Sequence, residues 1–130
     1  MMTQNELKKR TKKFALRIIR LIENLPETRT SQVLGRQLLR SGTSVGANYR
    51  SACRAKSTPD FISKLGIVEE EADESIYWLE LLVESNQIKR NPVENLMKEA
   101  NEILAIIVAS IRTARENRNP QSAIRNPKSL

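Results

Sequence analysis

Residues 37–82 read QLLRSGTSVGANYRSACRAKSTPDFISKLGIVEEEADESIYWLELL, and this stretch decides the fold. Apolar or small residues recur in it at alternating steps of three and four, the spacing of an amphipathic helix that packs along a seam. The positions, beginning just upstream, are Leu34, Leu38, Ser41, Val45, Asn48 and Ala52, and then Phe61, Leu65, Val68, Ala72, Ser75, Leu79 and Leu82. Between the two runs, Ser57 or Thr58 precedes Pro59 and Asp60, which is typical of a helix start. The stretch therefore predicts two helices joined by a short turn.

The same repeat continues on both sides of this stretch. Its positions are Leu7, Thr11, Phe14, Ile18, Leu21 and Leu25 upstream, and Val93, Met97, Ala100, Leu104, Ile107, Ile111 and Ala114 downstream. Pro26 separates the first helix from the second, and Asn91 with Pro92 precedes the fourth. Four such helices with short connections predict an all-α protein, an up-down-up-down antiparallel four-helix bundle over residues 1–116. Residues 117–130 contain two prolines and no periodicity, which predicts a mobile C-terminal tail.

The composition limits the possible compartments and chemistries. The chain has 130 residues, 39% of them hydrophobic, which is enough for one domain with a core. No run of about 18 apolar residues and no secretory signal are present, and Cys53 is the one cysteine, so we expect a cytoplasmic protein that does not contact membranes. The chain has no histidine, the commonest general base and the usual zinc ligand. We therefore expect no enzyme activity, metal or cofactor. The alternative, a carboxylate metal site, would use Glu69, Glu70, Asp73 and Glu74, although such bundles pair glutamate with histidine.

The second predicted helix has small residues on a second face. Its stripe is Leu39, Gly42, Gly46, Tyr49 and Cys53. A glycine inside a helix costs about 1 kcal/mol relative to alanine, so Gly42 and Gly46 indicate a close approach of another backbone. Ser41, Ser44 and Asn48 could form hydrogen bonds across that contact. The approaching helix could belong to a neighbouring subunit, or the glycines could relieve crowding within one bundle.

The third predicted helix carries a carboxylate and aromatic residues beside its seam. Glu69 lies next to an apolar flank and needs a partner, for which Arg40 or Asn48 of the second helix is suitable. Tyr77, Trp78 and Leu81 fall largely off the seam, which predicts an exposed aromatic patch. We interpret this patch as a subunit interface, and wide-face packing in the core is the alternative.

Charge is segregated along the chain, whose formal net charge is +7. Residues 1–25 hold seven bases against two acids, residues 26–56 six against one, and residues 57–90 three against eight. The polar face of the first helix carries Lys8, Lys9, Lys12, Lys13, Arg17 and Arg20. Such a stripe matches a phosphate backbone and makes these six residues candidates for RNA or DNA binding. A solvated face is the alternative, whereas binding to an anionic membrane is disfavoured because the apolar side of this helix has a core to fill.

Two segments carry a family resemblance. QLLRSGTSVGANYRSACRA and FISKLGIVEEEADESIYWLELL, at their observed spacing, closely resemble the 23S rRNA intervening-sequence proteins, a family of S23-type four-helix bundles. The resemblance runs from about Phe14 to Ile111. It implies a bacterial up-down bundle, in a family whose genes often lie within insertions in 23S rRNA genes. Related accessory proteins of diversity-generating retroelements form pentameric rings with a basic surface and act with a reverse transcriptase and nucleic acid.

The resemblance implies a homo-oligomer, a pentamer by similarity, with RNA, DNA or a reverse transcriptase as further partners. It implies no catalytic residues. The positions that match the family are Arg40, Ser41, Gly42, Ser44, Val45, Gly46, Asn48, Glu70, Ala72 and Leu79, which we interpret as packing and assembly residues. Our leading hypothesis is a non-enzymatic, self-assembling bundle that binds nucleic acid with little base readout. The alternative is a protein-interaction scaffold that does not bind nucleic acid.

Overall fold

The computed structural model describes residues 2–118, and all secondary structure in this range is helical. The helices are α1 (Gln4–Glu23), α2 (Arg29–Ala52), α3 (Thr58–Glu84) and α4 (Arg90–Arg118). Each helix packs against the next one along the chain, and α4 returns to meet α1 over a much smaller area. The predicted all-α four-helix bundle is confirmed. None of the four helices has an apolar stretch long enough to cross a membrane.

Side-chain caps begin the first three helices. Thr3 and Glu6 form a capping box on α1, with the Glu6 amide donating to Thr3 Oγ1 at 3.1 Å and the Thr3 amide donating to Glu6 Oε1 at 2.7 Å. Ser57 caps α3 ahead of Pro59 in its first turn, as the sequence predicts, and Thr28 caps α2. The fourth helix begins at Arg90, so Asn91 lies inside it. The last helix also extends to Arg118, two residues beyond the predicted end of the bundle; residues 119–130 of the predicted tail lie outside the described residues.

The turn after α3 is held by a Schellman motif. Asn86 adopts a left-handed backbone with φ of 63°, which asparagine tolerates better than most residues. The Gln87 amide donates to the Leu82 carbonyl and the Asn86 amide donates to the Val83 carbonyl, both at 3.0 Å. The Gln87 side-chain oxygen then accepts hydrogen bonds from the hydroxyls of Thr28 at 2.6 Å and Ser31 at 2.9 Å. These bonds attach the α3–α4 turn to the start of α2.

The predicted seams form the core, with a shift in α4. Buried seam residues of α1, α2 and α3 include Phe14, Ile18, Leu38, Val45, Leu65, Val68, Leu79 and Leu82. In α4 the core takes Leu96 and Ile103, whereas the predicted Met97 and Leu104 are only partly buried. An apolar stripe is wider than a strict heptad seam, and a straight helix drifts by about 20° per heptad against that repeat. The neighbouring helices therefore decide which edge of the α4 stripe lies deepest.

The glycines of α2 let α1 come close. A Cβ built on Gly42 would lie 2.9 Å from Ile18 Cγ1, and one built on Gly46 would lie 3.2 Å from Thr11 Oγ1. Gly35 faces the end of α1 and the turn that follows it, because its Cβ would lie 3.4 Å from Ile22 Cδ1 and 2.8 Å from Leu25 Cδ1. The second face of α2 is thus filled by α1 of the same chain. Of the two interpretations of Gly42 and Gly46, the structure supports the relief of crowding within one bundle.

Candidate nucleic-acid interface

The basic residues of α1 lie largely on the outer surface of the bundle. Lys9, Lys12, Lys13 and Arg20 are exposed, and Lys8 and Arg17 are partly exposed. Within residues 2–118, none of these six side chains forms an ion pair. The arrangement leaves a row of cationic groups whose charge is available to an anion in solution.

Within residues 2–118, Arg10 is the one base of α1 that forms an ion pair. Its guanidinium donates to both carboxylate oxygens of Glu99, at 2.7 and 2.8 Å, and to Glu102 at 2.5 Å. Hydrogen bonding to Arg10 holds the pKa of Glu99 below its ordinary value, with smaller contributions from the nearby charges of Arg17 and Lys13. The α4-facing edge of the basic surface is therefore partly neutralised, and its opposite flank is not.

α2 and the turn after it add exposed bases that are not among the six candidate residues. Arg36, Arg50 and Arg54 are exposed and form no ion pair within residues 2–118. The charge count over residues 26–56 was the available sequence signal, but it could not show which of these bases would lack an acidic partner. The structure supplies that distinction.

Arg40 differs from the other bases of α2 because it binds α3. Its guanidinium donates to Glu71 at 3.1 Å and also to Glu74, whose carboxylate accepts a further hydrogen bond from Trp78 Nε1 at 3.1 Å. The hydrogen bond from Arg40 lowers the pKa of Glu74. Arg40 is therefore a structural residue between two helices and contributes little free charge to the surface.

The predicted partners of Glu69 are wrong. Arg40 turns to Glu71 and Glu74, and the amide of Asn48 donates to the Ser44 carbonyl of its own helix at 2.8 Å. Glu69 is half-buried and forms no ion pair among residues 2–118, and its neighbour Glu70 is exposed. The physical reason is the helical period: Glu71 and Glu74 lie on the flank of α3 that faces α2, whereas Glu69 lies on the flank towards α4.

Ser41 forms a cross-helix hydrogen bond, but to α3 and not across the glycine-lined contact with α1 where the sequence predicts it. Its Oγ lies 2.9 Å from Ser75 Oγ in a hydrogen bond buried between α2 and α3 of the same chain, and Ser75 Oγ lies 2.8 Å from the Glu71 carbonyl oxygen. Val45 is fully buried nearby, and Ser44 is half-buried. The motif positions on α2 are thus mainly packing residues of the subunit.

The outer surface of α3 is acidic and carries one exposed aromatic residue. Tyr77 is 52% exposed, whereas Trp78 is half-buried, packs against the core and meets the Tyr77 ring edge-on with centroids 5.1 Å apart. Leu81 is partly buried. Ile67 adds a second exposed apolar side chain on this helix. The predicted patch is therefore smaller than expected and centres on Tyr77.

An uncharged groove lies at one end of the bundle, between the start of α1 and the last turns of α4. Its volume is about 640 Å³, and Leu7, Tyr49, Phe61 and Ile106 are among its lining residues. Burial raises the pKa of the Tyr49 phenol further above neutrality. None of the residues that line the groove within residues 2–118 carries a charge at neutral pH. Across residues 2–118, no three acidic, cysteine or histidine side chains come together in a way that could hold a metal ion. The positive surface of α1 and α2 is thus the region with the clearest binding chemistry.

Comparison with known proteins agrees with this description of the chain. The family model of the 23S rRNA-intervening sequence protein matches residues 3–109. Among solved structures, a protein of unknown function from the S23 ribosomal protein family of Bacteroides thetaiotaomicron VPI-5482 is similar, with 40% sequence identity and a TM-score of 0.79. The similarity covers 85% of this chain and 99% of that one. No curated protein matches. The matched range and the shared fold show that the chain belongs to the 23S rRNA-intervening sequence protein family.

Proposed function

We propose that this protein is a non-enzymatic, self-assembling bundle that binds RNA or DNA without base specificity through the basic surface of α1. The proposal rests on one observation: some basic side chains form ion pairs within the bundle and others do not. Arg10 and Arg40 form ion pairs between helices. Within residues 2–118, no ion pair involves Lys8, Lys9, Lys12 or Lys13. A row of unpaired cations gains free energy by displacing counterions from a polyanion.

The distribution of charge supports the same conclusion. The acids of α3 lie on a different side of the bundle from α1, because α2 and α4 separate the two helices. A polyanion can therefore approach α1 without meeting the acidic surface, and the field of the chain orients that approach. The binding would be strongest at low ionic strength.

The resemblance to retroelement accessory proteins supports a wider assembly. We propose a homo-oligomer, pentameric by that resemblance, in the cytoplasm, with a reverse transcriptase as a further partner. Repeating the basic surface around a ring would present several copies to one nucleic acid. Linked contacts raise the overall affinity without any new contact within a subunit.

Titration against a structured RNA at two salt concentrations tests the proposal. Wild-type protein should bind at 50 mM salt and lose affinity steeply at 200 mM, by about 10³-fold if six phosphates are neutralised. Replacing Lys8, Lys9, Lys12 and Lys13 together by glutamate should abolish binding while circular dichroism shows an intact bundle.

A matched control separates local contacts from net charge. Replacing Lys89, Arg90, Arg112 and Arg115 by glutamate changes the charge equally at exposed positions of α4 and of the turn before it. This variant should retain most of the affinity. Equal losses in the two variants, or no binding by wild type at low salt, would contradict the proposal.

A protein-interaction scaffold that does not bind nucleic acid is the second candidate, and the exposure of Tyr77 on acidic α3 is the observation that favours it. Native purification discriminates the two functions. A protein partner that is lost from a Tyr77→Ser variant, in the absence of nucleic acid, would support the scaffold.

A further inference from the structure

We infer that α2 completes the basic site of α1, and that the joint surface selects double-stranded over single-stranded nucleic acid. The inference rests on the proposed function and adds two elements to it. One is the contribution of Arg50 and Arg54, and the other is the class of nucleic acid. Each is argued from the packing of α1 on α2.

The contacts of the α2 glycines show which residues of α1 and α2 lie at the same height along the bundle axis. Gly42 faces Ile18 and Gly46 faces Thr11, so α1 and α2 run in opposite directions. Arg50 follows Gly46 by one helical turn, and Lys8 precedes Thr11 by slightly less than one turn. Arg50 and Lys8 therefore lie at the same level of the bundle.

The two basic rows also lie on adjacent flanks. On α1, Arg10 points to Glu99 of α4, and the helical period places Lys8 and Lys12 on the opposite flank, beside α2. On α2, Arg40 points to α3, and the same period places Arg50 on the flank beside α1. Because small residues separate the helices, their axes approach to roughly 8 Å, and the two basic rows lie side by side.

Arg54 extends this cluster, whereas Arg36 does not. Arg54 is exposed just after the end of α2, beyond Arg50. Arg36 lies at the far end of the interface and lines a shallow hollow together with Glu23, whose charge opposes its own. The joint site is therefore Lys8 and Lys12 of α1 with Arg50 of α2 and Arg54 of the turn that follows it.

Among residues 2–118, no aromatic side chain belongs to this cationic cluster, so an unpaired base finds no aromatic ring to stack on there. The chain has five aromatic residues. Phe14 and Tyr49 are buried, and Tyr77 and Trp78 lie on α3. Phe61 lines the uncharged end groove and a neighbouring hollow beside Cys53 and Lys56, but it is half-buried against the core and does not present an open ring face. Proteins that prefer single strands combine a positive groove with aromatic platforms, and this surface supplies only the charge.

A surface that supplies only charge favours the polyanion with the higher linear charge density. Duplex DNA carries one phosphate per about 1.7 Å of axis, and each contact releases about 0.9 counterion against about 0.7 for a single strand. With four phosphates contacted, that difference gives roughly tenfold tighter duplex binding near 50 mM salt. The cationic cluster of α1 and α2 should thus discriminate by strandedness and not by sequence.

Fluorescence anisotropy with a 20-base-pair duplex and one of its isolated, unstructured strands tests the inference. At 50 mM KCl, wild type should bind the duplex roughly tenfold more tightly than the single strand, and its affinity for the duplex should fall by roughly 50-fold between 50 and 150 mM KCl. The Arg50→Gln/Arg54→Gln variant should lower the salt slope for the duplex by about 1.8, as expected for two lost phosphate contacts. The control Arg112→Gln/Arg115→Gln, with the same charge change at exposed positions of α4, should bind as wild type does.

The outcomes separate the two proposals. Equal or tighter binding of the single strand would overturn the duplex preference and leave the proposed nucleic-acid binding intact. Unchanged duplex binding by the Arg50/Arg54 variant would overturn the role of α2. If wild type binds neither probe at 50 mM salt, the proposed function fails and this inference fails with it.

Discussion

The guanidinium of Arg10 on α1 grips the carboxylate of Glu99 on α4 with two hydrogen bonds, from Nε to Oε2 at 2.7 Å and from Nη2 to Oε1 at 2.8 Å. This pair joins α1 and α4, the two neighbouring helices that pack least against each other. It therefore links the helices where side-chain packing is sparse. Both side chains are mostly buried. The pair therefore holds α1 against α4, where the bundle has the least packing.

Replacing Glu99 by glutamine should destabilise the protein by about 1–2 kcal/mol, because a charged, partly buried acceptor is lost. Urea unfolding at pH 7 measures the change. Glu102→Gln is the matched control, since Glu102 also accepts from Arg10 but is mainly exposed, and it should cost less than about 0.5 kcal/mol. Similar losses in both variants would show that the bidentate pair has no special role.

Stability should fall in acid through Glu99. The Arg10 hydrogen bonds lower the pKa of this carboxyl in the folded state, so the folded protein binds its proton more weakly than the unfolded chain does. The resulting stabilisation is complete well above the ordinary glutamate pKa of 4.5 and is lost as the pH falls through the lower, folded value. Urea unfolding of wild type between pH 6 and 3 should show a steeper decline than unfolding of Glu99→Gln. Parallel curves would contradict the prediction.

Alanine at Gly42 and at Gly66 should have opposite effects. At Gly42 the new methyl group would lie 2.9 Å from Ile18 Cγ1. Overpacking of this kind destabilises a protein by about 1–3 kcal/mol, which exceeds the stabilisation expected from the higher helix propensity of alanine. At Gly66 no atom lies within 4 Å of the new methyl group, and the gain in helix propensity should stabilise the protein by about 0.5–1 kcal/mol. Thermal unfolding of both variants gives the sign of each change. A destabilised Gly66→Ala would show that another subunit covers this position.

Gly46→Leu distinguishes the two interpretations of α2. Since Gly46 faces Thr11 of its own chain, a leucine should disrupt the subunit itself by at least about 1–3 kcal/mol of overpacking. Circular dichroism and sedimentation velocity together measure folding and assembly. A well-folded variant that only loses its oligomeric state would place the glycine at a subunit contact instead.

Tyr77→Ser should weaken self-association and leave the subunit fold intact, because the ring is 52% exposed and packs on Trp78 only at its edge. Sedimentation velocity at micromolar concentration measures the oligomeric state. Val33→Ser, at a similarly exposed apolar position on α2, serves as the control and should assemble as wild type does. If both variants assemble normally, the exposed surface of α3 is not the interface.

Local features of the sequence were sufficient to predict the helices. Thr28 and Ser57 cap α2 and α3 because a hydroxyl beside the first turn satisfies a free backbone amide whatever the surrounding fold. The spacing of the apolar residues likewise predicted the buried sides of α1, α2 and α3. The basic residues of α1 could be assigned to a surface, since the opposite side of an amphipathic helix must face solvent or a partner.

The way in which those helices pack against each other could be seen only in the folded chain. A helical repeat defines the buried face of a helix, but not the rotation or the height of the neighbouring helix that covers this face. It placed Gly42 and Gly46 against α1 of the same chain and joined Arg40 to Glu71 and Glu74 in preference to Glu69. It also removed Arg10 from the basic surface by pairing it with Glu99. The sequence by itself determined the four helices and the excess of positive charge on the first two. The packing of the helices determined which of those basic side chains form ion pairs within the bundle and which remain available to a partner.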